Sequence, residues 1–155
     1  MSKLQSGIKV PDFSLPMTGG GTWRLKDAHG SKLVIYFYPR DMTSGCTRES
    51  QDFRDLAPAF RKAGTHIVGI SRDSVASHDK FAAKELLPFP LLADTEEQVC
   101  RLFDVIQPKT LYGRKFLGVE RSTFLLDGAG RLQQEWRKVK VPGHAEAVLE
   151  AAQRL

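Results

Sequence analysis

Short runs of apolar residues alternate with segments of helical periodicity along the chain. The strongest run, from Leu33 to Tyr38, is rich in β-branched and aromatic residues and predicts a strand at 32–38 that is covered on both faces. Pro39 ends this strand, because proline has no backbone N–H to donate to a sheet. Similar runs predict four further strands, at 66–71, 89–92, 121–127 and 132–141.

Apolar residues at helical spacing predict four helices, at 44–63, 74–86, 96–104 and 144–155. Thr95 and Gln98 have the spacing of a capping box at the start of the third helix. A turn at 127–130 joins the last two strands as a hairpin. Because strands and helices alternate, the pattern predicts an α/β protein with a central mixed β-sheet flanked by helices, in which the hairpin adds antiparallel strands to a parallel core.

Length and composition indicate one domain spanning residues 1–155. A chain of 155 residues is long enough to bury a substantial core, and no repeat or low-complexity linker divides it. The first residues lack the apolar stretch of a signal peptide, and no segment reaches membrane-spanning length. Two cysteines far apart in sequence suit a reducing compartment better than a disulfide scaffold. We therefore expect a cytoplasmic protein that does not bind a membrane.

The chain is basic, with a formal net charge of +5 and a pI of about 9.4. The densest basic segment, at 131–140, follows the predicted hairpin turn, so we expect its charges on a solvated strand edge, where lysine discourages aggregation. No nucleic-acid recognition motif accompanies this segment. We therefore expect no specific nucleic-acid partner, and a basic surface would instead attract acidic reductant proteins.

The histidines and tryptophans indicate no metal or binding site. The four histidines, at positions 29, 66, 78 and 144, lack metal-ligand spacing among themselves or with the cysteines, so polar surface or capping roles are expected. Trp23 and Trp136 are expected to pack in the core or at its edge. Neither a glycine-rich phosphate loop nor a Cys-x-x-Cys pair is present, which argues against nucleotide use and against thioredoxin-type disulfide exchange. No cofactor is expected.

The most informative residue is Cys46, which lies at the predicted start of a helix directly after the buried strand. Because Cys46 precedes Phe53 by seven residues, its thiol should face the protein in the first helical turn. There, unpaired backbone N–H groups and the positive end of the helix dipole favour an anion, and the thiolate is the nucleophilic form of cysteine. Cys46 is therefore a candidate nucleophile. Thr43, three residues earlier, is the nearest candidate for a group that acts on the leaving atom.

The sequence around Cys46 resembles the active-site signature of the peroxiredoxins, Pro39-x-x-x-Thr43-x-x-Cys46. The longer run from Tyr36 to Glu49 resembles the bacterioferritin comigratory protein subfamily, also called PrxQ. The resemblance extends to three other segments, at 7–16, 68–73 and 121–127. It implies a thioredoxin-like fold and a thiol peroxidase that reduces hydrogen peroxide or small organic hydroperoxides.

The resemblance also implies roles for five residues. Cys46 would be the peroxidatic cysteine, which attacks the terminal peroxide oxygen and becomes a sulfenic acid. Thr43 would hydrogen-bond the peroxide, and Arg121 would stabilise the thiolate and the departing oxygen. Pro39 would shield the site from water, and Glu49 would orient the arginine. Taken singly, Thr43 is also explained as a helix N-cap, Arg121 as a surface ion-pair partner and Glu49 as a first-turn carboxylate.

The resolving cysteine of this subfamily is missing from its usual positions. Many relatives have it five residues after the peroxidatic cysteine, where this chain has Gln51, and others have it in the next helix, where the chain has Ala82 and Ala83. The other cysteine, Cys100, is expected to be a small, partly buried hydrophobe on the flank of its helix. The resemblance therefore implies a one-Cys enzyme, a monomer or weak homodimer, that is reduced by thioredoxin or by glutaredoxin with glutathione.

A second class of function fits the same motif. A redox-sensing or chaperone-like binding protein would use oxidation of Cys46 as a switch that changes its affinity for a partner. Both functions need a reactive thiolate, so the motif alone does not separate them. Turnover does, because an enzyme consumes many equivalents of peroxide and a switch consumes one.

Overall fold

A computed structural model of the chain describes residues 4–155. It confirms the predicted α/β architecture, a central mixed sheet flanked by helices. The described elements are β1 (Ser14–Pro16), β2 (Thr22–Arg24), a 3-10 helix (Leu25–Ala28), β3 (Lys32–Phe37), α1 (Ser44–Lys62), β4 (Thr65–Ser71), α2 (Val75–Glu85), β5 (Leu91–Ala93), α3 (Gln98–Leu102), β6 (Ile106–Leu111), β7 (Arg114–Val119), β8 (Ser122–Leu126), β9 (Leu132–Trp136) and α4 (His144–Arg154).

The central sheet has five strands in the order β5-β4-β3-β8-β9. The strands β3, β4 and β5 run parallel, whereas β8 is antiparallel to both β3 and β9. The buried run that the sequence singles out is thus the middle strand. Two short hairpins, β1–β2 and β6–β7, form separate two-stranded sheets.

The alternation of side chains along β3 divides the core into two layers. Leu33, Ile35 and Phe37 belong to a cluster that includes the buried face of α3, whereas Val34 and Tyr36 belong to one that includes α1 and α4. Successive side chains of a strand point to opposite faces of its sheet, so the two clusters lie on opposite sides. The division matters for the two cysteines, which belong to different clusters.

Tyr36 fixes the position of the first turns of α1. Its ring stacks on Phe53 with 4.8 Å between centroids, and its hydroxyl lies 2.9 Å from the hydroxyl of Ser50. Gly69 on the neighbouring strand makes room for this ring, because a Cβ at that position would lie 2.8 Å from it. Since a stacked aromatic pair adds to the free energy gained by burial, these contacts anchor α1 against β3 at Ser50 and Phe53.

The last strand is shorter than the sequence predicts. β9 ends at Trp136 instead of continuing to residue 141, so the prediction that the basic segment lies on a strand edge is wrong for residues 137–140. Arg137 instead folds back over the ring of Phe124, at 5.3 Å from its centroid, and donates hydrogen bonds to the carbonyls of Phe103 and Asp104. The strand cannot continue because the chain turns at Lys138, which has a φ of 48°.

The third helix also differs from its prediction. It spans Gln98–Leu102, and Thr95 and Gln98 form no capping box: the N-cap residue is Glu97, in a left-handed conformation and without a side-chain cap. The carboxylate of Asp94 accepts a hydrogen bond of 2.7 Å from the backbone N–H of Cys100 instead. Trp23 and Trp136 are half-buried against the two core clusters, as expected. Among the described residues, no helix has the length and apolar character needed to cross a membrane.

Candidate active site

Cys46 lies in the first turn of α1, which begins just beyond the C-terminal end of β3. The intervening loop turns at Met42, which has a φ of 68°, and the helix N-cap is Thr43. Only 1% of Cys46 is exposed, and it packs in the cluster that includes Tyr38. The predicted placement of a thiol facing the protein at a helix N-terminus is therefore confirmed in the structure.

Arg121 reaches this thiol from the segment between β7 and β8. One guanidinium nitrogen, Nη2, lies 3.4 Å from Sγ of Cys46, and the other, Nη1, donates to Oε1 of Glu49 at 2.7 Å. Gly45 permits this approach, since a Cβ there would lie 3.1 Å from Nη2. Arg121 thus connects two side chains on the same turn of α1, although it is 75 residues away from Cys46 in sequence.

Burial and mutual charge interactions together set the pKa values of Glu49 and Arg121 beside Cys46. Burial raises the pKa of Glu49 to about 7, although the charge and hydrogen bond of Arg121 act in the opposite direction. Partial burial of Arg121 opposes its charged form, but the negative charges of Glu49 and Cys46 raise its pKa above the ordinary value. The second carboxylate oxygen of Glu49, Oε2, is buried and has no hydrogen-bond partner in the described part of the chain. The site therefore has a positively charged guanidinium next to the Cys46 thiol.

Thr43 and Pro39 occupy the loop before the helix. Thr43 is the N-cap residue by position, yet its hydroxyl donates to the carbonyl of Arg40 at 2.9 Å and does not cap the helix. Its side chain is exposed, one turn before Cys46. Pro39 is half-buried directly after β3. The structure thus brings Cys46 and Glu49 into contact with Arg121. Thr43 and Pro39 lie in the loop between β3 and α1.

Comparison with known proteins agrees with this geometry. Residues 6–135 match the AhpC/TSA family model. The chain belongs to the AhpC/TSA family. It is 57% identical to peroxiredoxin Bcp of Xanthomonas campestris over 146 aligned residues. The aligned region covers 93% of this chain and 91% of that protein. It is thus a peroxiredoxin of the bacterioferritin comigratory protein (PrxQ) subfamily, as the sequence resemblance implies, and a thiol peroxidase.

Two solved structures are similar over nearly the whole chain. A mutant of Xylella fastidiosa PrxQ matches with a TM-score of 0.94 and 40% identity, covering 99% of this chain and 98% of that one. The Xanthomonas campestris bacterioferritin comigratory protein, whose alkyl peroxide reduction activity was studied through trapped intermediate and ligand complexes, matches with a TM-score of 0.90 and 50% identity over 99% and 98% of the two chains. The thioredoxin-like fold of the peroxiredoxins is thereby confirmed.

The second cysteine of this peroxiredoxin lies on the other side of the sheet. Cys100 is fully buried on α3, so its predicted position on a partly exposed flank is wrong. It belongs to the core cluster of Phe37, whereas Cys46 belongs to the cluster of Tyr36. Burial and the neighbouring carboxylate of Asp94 raise the pKa of the Cys100 thiol far above its ordinary value. Cys100 is therefore a core residue whose surroundings disfavour the thiolate in the folded protein.

The positions that hold a resolving cysteine in relatives have structural roles here. The side-chain amide of Gln51 donates to Oε1 of Glu85 at 2.8 Å, and Arg54 donates to the carbonyl of Glu85 at 2.9 Å. These bonds connect α1 to the end of α2. Ala82 packs against the core cluster on the same helix. The described residues therefore supply no thiol besides Cys46 on this side of the sheet.

A buried polar network lies behind the loop, and the sequence analysis missed it. Asp41 is 4% exposed and accepts hydrogen bonds from the hydroxyls of Tyr38 at 2.6 Å and Ser77 at 2.8 Å. Nδ1 of His78 lies 2.8 Å from the same carboxylate, and Nε2 lies 3.0 Å from the carbonyl of Leu92. Both ring nitrogens of His78 therefore have an oxygen partner within the protein.

His78 and His144 both contradict the expectation of polar surface histidines. His78 is fully buried, and His144 is 7% exposed. Nε2 of His144 lies 2.8 Å from the hydroxyl of Thr123. Burial, assisted by the charge of Arg121, lowers the pKa of His144 to about 4. His144 is therefore neutral at pH 7. A single sequence could not reveal these partners, which are 21 and 37 residues away along the chain.

Asp41, Asp73 and His78 approach one another closely enough to hold a metal ion. However, Asp41 and His78 use their polar atoms in protein hydrogen bonds, and Asp73 accepts from the backbone N–H of Asp41 at 2.9 Å and from Ser71 at 2.6 Å. The hydrogen bonds satisfy these groups without an ion. The network instead ties the loop before α1 to α2 and β4.

Truncation of Asp41 should destabilise the protein strongly. Asp41→Ala leaves the hydroxyls of Tyr38 and Ser77 and Nδ1 of His78 without their partner, and removal of one partner from a buried pair costs about 3–5 kcal/mol of unfolding free energy. Asp41→Asn should cost less, because its amide has nearly the same shape and keeps an oxygen and a nitrogen that can hydrogen-bond the same neighbours. Urea denaturation measures the difference, and Asp55→Ala, which breaks the exposed ion pair with Arg54, is the matched control at about 1 kcal/mol or less. Equal losses in Asp41→Ala and Asp55→Ala would contradict this account.

Proposed function

We propose that this peroxiredoxin is a one-Cys enzyme that reduces hydrogen peroxide and organic hydroperoxides at Cys46. The observation that carries the proposal is the 3.4 Å contact of Arg121 with Sγ of Cys46, with the guanidinium held by Glu49. A donor fixed beside a nucleophile stabilises negative charge without reorganisation during the reaction. The alkyl peroxide reduction of the Xanthomonas campestris relative supports organic hydroperoxides as substrates.

In the first half of the cycle, the Cys46 thiolate attacks the terminal oxygen of the peroxide. An S–O bond forms and the O–O bond breaks, so the sulfur is oxidised to sulfenic acid and the peroxide is reduced. The departing oxygen leaves as hydroxide or alkoxide and takes a proton from water. Arg121 stabilises both the thiolate and the departing oxygen, and Glu49 orients Arg121.

Thr43 and Pro39 are assigned to the substrate side of the site. Thr43 precedes Cys46 by three residues, and its hydroxyl now bonded to Arg40 would rotate to donate to the bound peroxide. Pro39 covers the strand end behind the loop and limits the access of water. Both assignments rest on the match of these residues to the family signature and on their position in one loop.

In the second half of the cycle, an external thiol attacks the sulfenic sulfur. An S–S bond forms, and the oxygen leaves as water after taking a proton. A second thiol then reduces this mixed disulfide and returns Cys46 to its thiol form. We infer that thioredoxin, or glutaredoxin with glutathione, supplies these thiols in a reducing compartment such as the cytoplasm. The inference is supported by the burial of Cys100 on the opposite side of the sheet.

The mass of the oxidised protein tests the one-Cys cycle. One equivalent of peroxide should add a single oxygen to Cys46, and added glutathione should convert that species to a mixed disulfide. Excess peroxide without a thiol should drive Cys46 on to sulfinic acid. Rapid, stoichiometric formation of an intramolecular disulfide between Cys46 and Cys100, visible on a non-reducing gel, would show that the one-Cys assignment is wrong.

A further inference from the structure

The β6–β7 hairpin stands apart from the central sheet. Its two strands pair only with each other among the described strands. Tyr112 and Gly113 form the turn with φ angles of 51° and 74°, as a tight hairpin turn requires. An isolated two-stranded ribbon is at best marginally stable in water, so a surface that packs against this hairpin would stabilise it.

The hairpin carries a group of exposed apolar side chains: Leu111 (55% exposed), Tyr112 (94%), Phe116 (44%) and Leu117 (55%). Phe116 lies opposite Lys109, and Leu117 lies opposite Pro108 on the neighbouring strand. Because neighbouring strand residues point to opposite faces, each face of the ribbon has exposed apolar side chains. Apolar groups clustered in this way mark a site of interaction with another molecule.

The charges of the hairpin specify the chemistry of that molecule. Every charged side chain between Val105 and Val119 is basic, namely Lys109, Arg114 and Lys115. A symmetric contact with a second copy of this chain would oppose these three positive charges to the same three, which is unfavourable. A surface with carboxylates around an apolar centre complements both features of the hairpin.

The base of the hairpin adjoins the active site. The backbone N–H of Glu120 donates to the carbonyl of Val105 at 2.7 Å and closes the ribbon, and the next residue is Arg121, which contacts Cys46. The side chain of Lys109 lies across Gly118, where a Cβ would come within 3.1 Å of it. Burial and then the charge of Arg121 lower the pKa of Lys109, as expected for a lysine that extends toward the site. A protein bound to the hairpin is thus well placed to reach Cys46.

We propose that the β6–β7 hairpin is the docking surface for the protein thiol that reduces oxidised Cys46, and that this partner presents an apolar patch bordered by carboxylates. The proposal rests on recycling by an external thiol. It adds that the partner is recognised at a surface next to the site, so that a protein thiol is favoured over a small one.

Comparison of two reductants tests the docking surface. Protein oxidised with one equivalent of peroxide is mixed with an acidic thioredoxin or glutaredoxin, or with dithiothreitol, and the rate constants for reduction of Cys46 are measured. The variants are Leu117→Ser with Phe116→Ser, and Arg114→Glu with Lys115→Glu. The matched control is Arg61→Glu with Lys62→Glu, which reverses two exposed charges at the far end of α1.

The quantity of interest is the rate constant with the protein thiol divided by the rate constant with dithiothreitol. Both hairpin variants should lower this ratio by about tenfold or more, and the control should leave it near the wild-type value. The ratio for the wild-type protein should also fall with added salt, because salt screens the attraction between exposed charges.

Four results would overturn the docking proposal. The first two are an unchanged ratio in both hairpin variants, and reduction of the wild-type protein by the protein thiols that is no faster than its reduction by dithiothreitol. The other two are a dimer, seen in sedimentation, that the hairpin variants dissociate, and inhibition by single-stranded oligonucleotides that is lost in the charge variant. Failure of dithiothreitol itself to reduce oxidised Cys46 would instead overturn the external-thiol cycle. The two failures are therefore distinguishable.

Discussion

Cys46→Ser should abolish peroxide consumption, and Cys100→Ser should retain most of it. A serine hydroxyl is a far weaker nucleophile than a thiolate, so the first step of the cycle cannot occur without Cys46. Cys100 is buried on the opposite face of the sheet and has no access to the peroxide. The measurement is peroxide consumption in the presence of a reductant, with circular dichroism as the check that each variant is folded.

The same pair of variants separates an enzyme from a redox switch. Wild-type protein should consume many equivalents of peroxide per protein, and Cys100→Ser should do the same. Consumption of a single equivalent by the wild-type protein, even with an excess of thiol, would favour a switch. Equal loss of turnover in Cys46→Ser and Cys100→Ser would restore Cys100 as a resolving residue and contradict the assignment made from burial.

Arg121→Ala should slow oxidation of Cys46 by about 10²-fold to 10³-fold, the range found when one donor to a developing oxyanion is removed. Arg121→Lys should recover only part of this rate, because an ammonium cannot contact Cys46 and Glu49 with the fixed fork of a guanidinium. Stopped-flow measurement of the second-order rate constant with peroxide is the test.

The matched control for Arg121→Ala is Arg48→Ala on α1, the helix that carries Cys46. Arg48 is 71% exposed and pairs with Asp52 on the solvent side of α1, so its loss removes a positive charge near Cys46 without removing a contact to the sulfur. A comparable rate decrease in both variants would mean that general positive charge, and not the contact, is responsible. A normal rate in folded Arg121→Ala would reject the role of Arg121 altogether.

The central features were predictable because they depend on local patterns. The run before Pro39 contains only aliphatic and aromatic residues from position 33 to 38, and the spacing of Phe53, Ala57 and Phe60 is helical, so β3 and α1 follow directly from burial. The candidate role of Cys46 follows from its place in the first turn of α1, directly after β3. The contact with Arg121 could be inferred only through the family resemblance, because no local pattern connects the two residues.

The β6–β7 hairpin escaped prediction for the opposite reason. Its apolar residues are exposed on both faces, so the strands lack the alternation of buried and exposed positions that identifies a strand from sequence. β1 and β2 were missed because three residues are too short to display a period. The pairing of Asp41 with His78 was missed because it depends on how α2 packs behind the loop, which is a tertiary effect.

Two buried groups described above respond to acid in opposite directions. Stability due to the low pKa of His144 is lost as pH falls from about 6.5 to about 4, whereas the raised pKa of Glu49 makes stability fall as pH rises from about 4.5 to about 7. Between about pH 5 and 6, unfolding therefore transfers one proton from Glu49 to His144 with no net uptake. Over that range the contributions of Glu49 and His144 to the pH dependence of the unfolding free energy oppose each other and largely cancel.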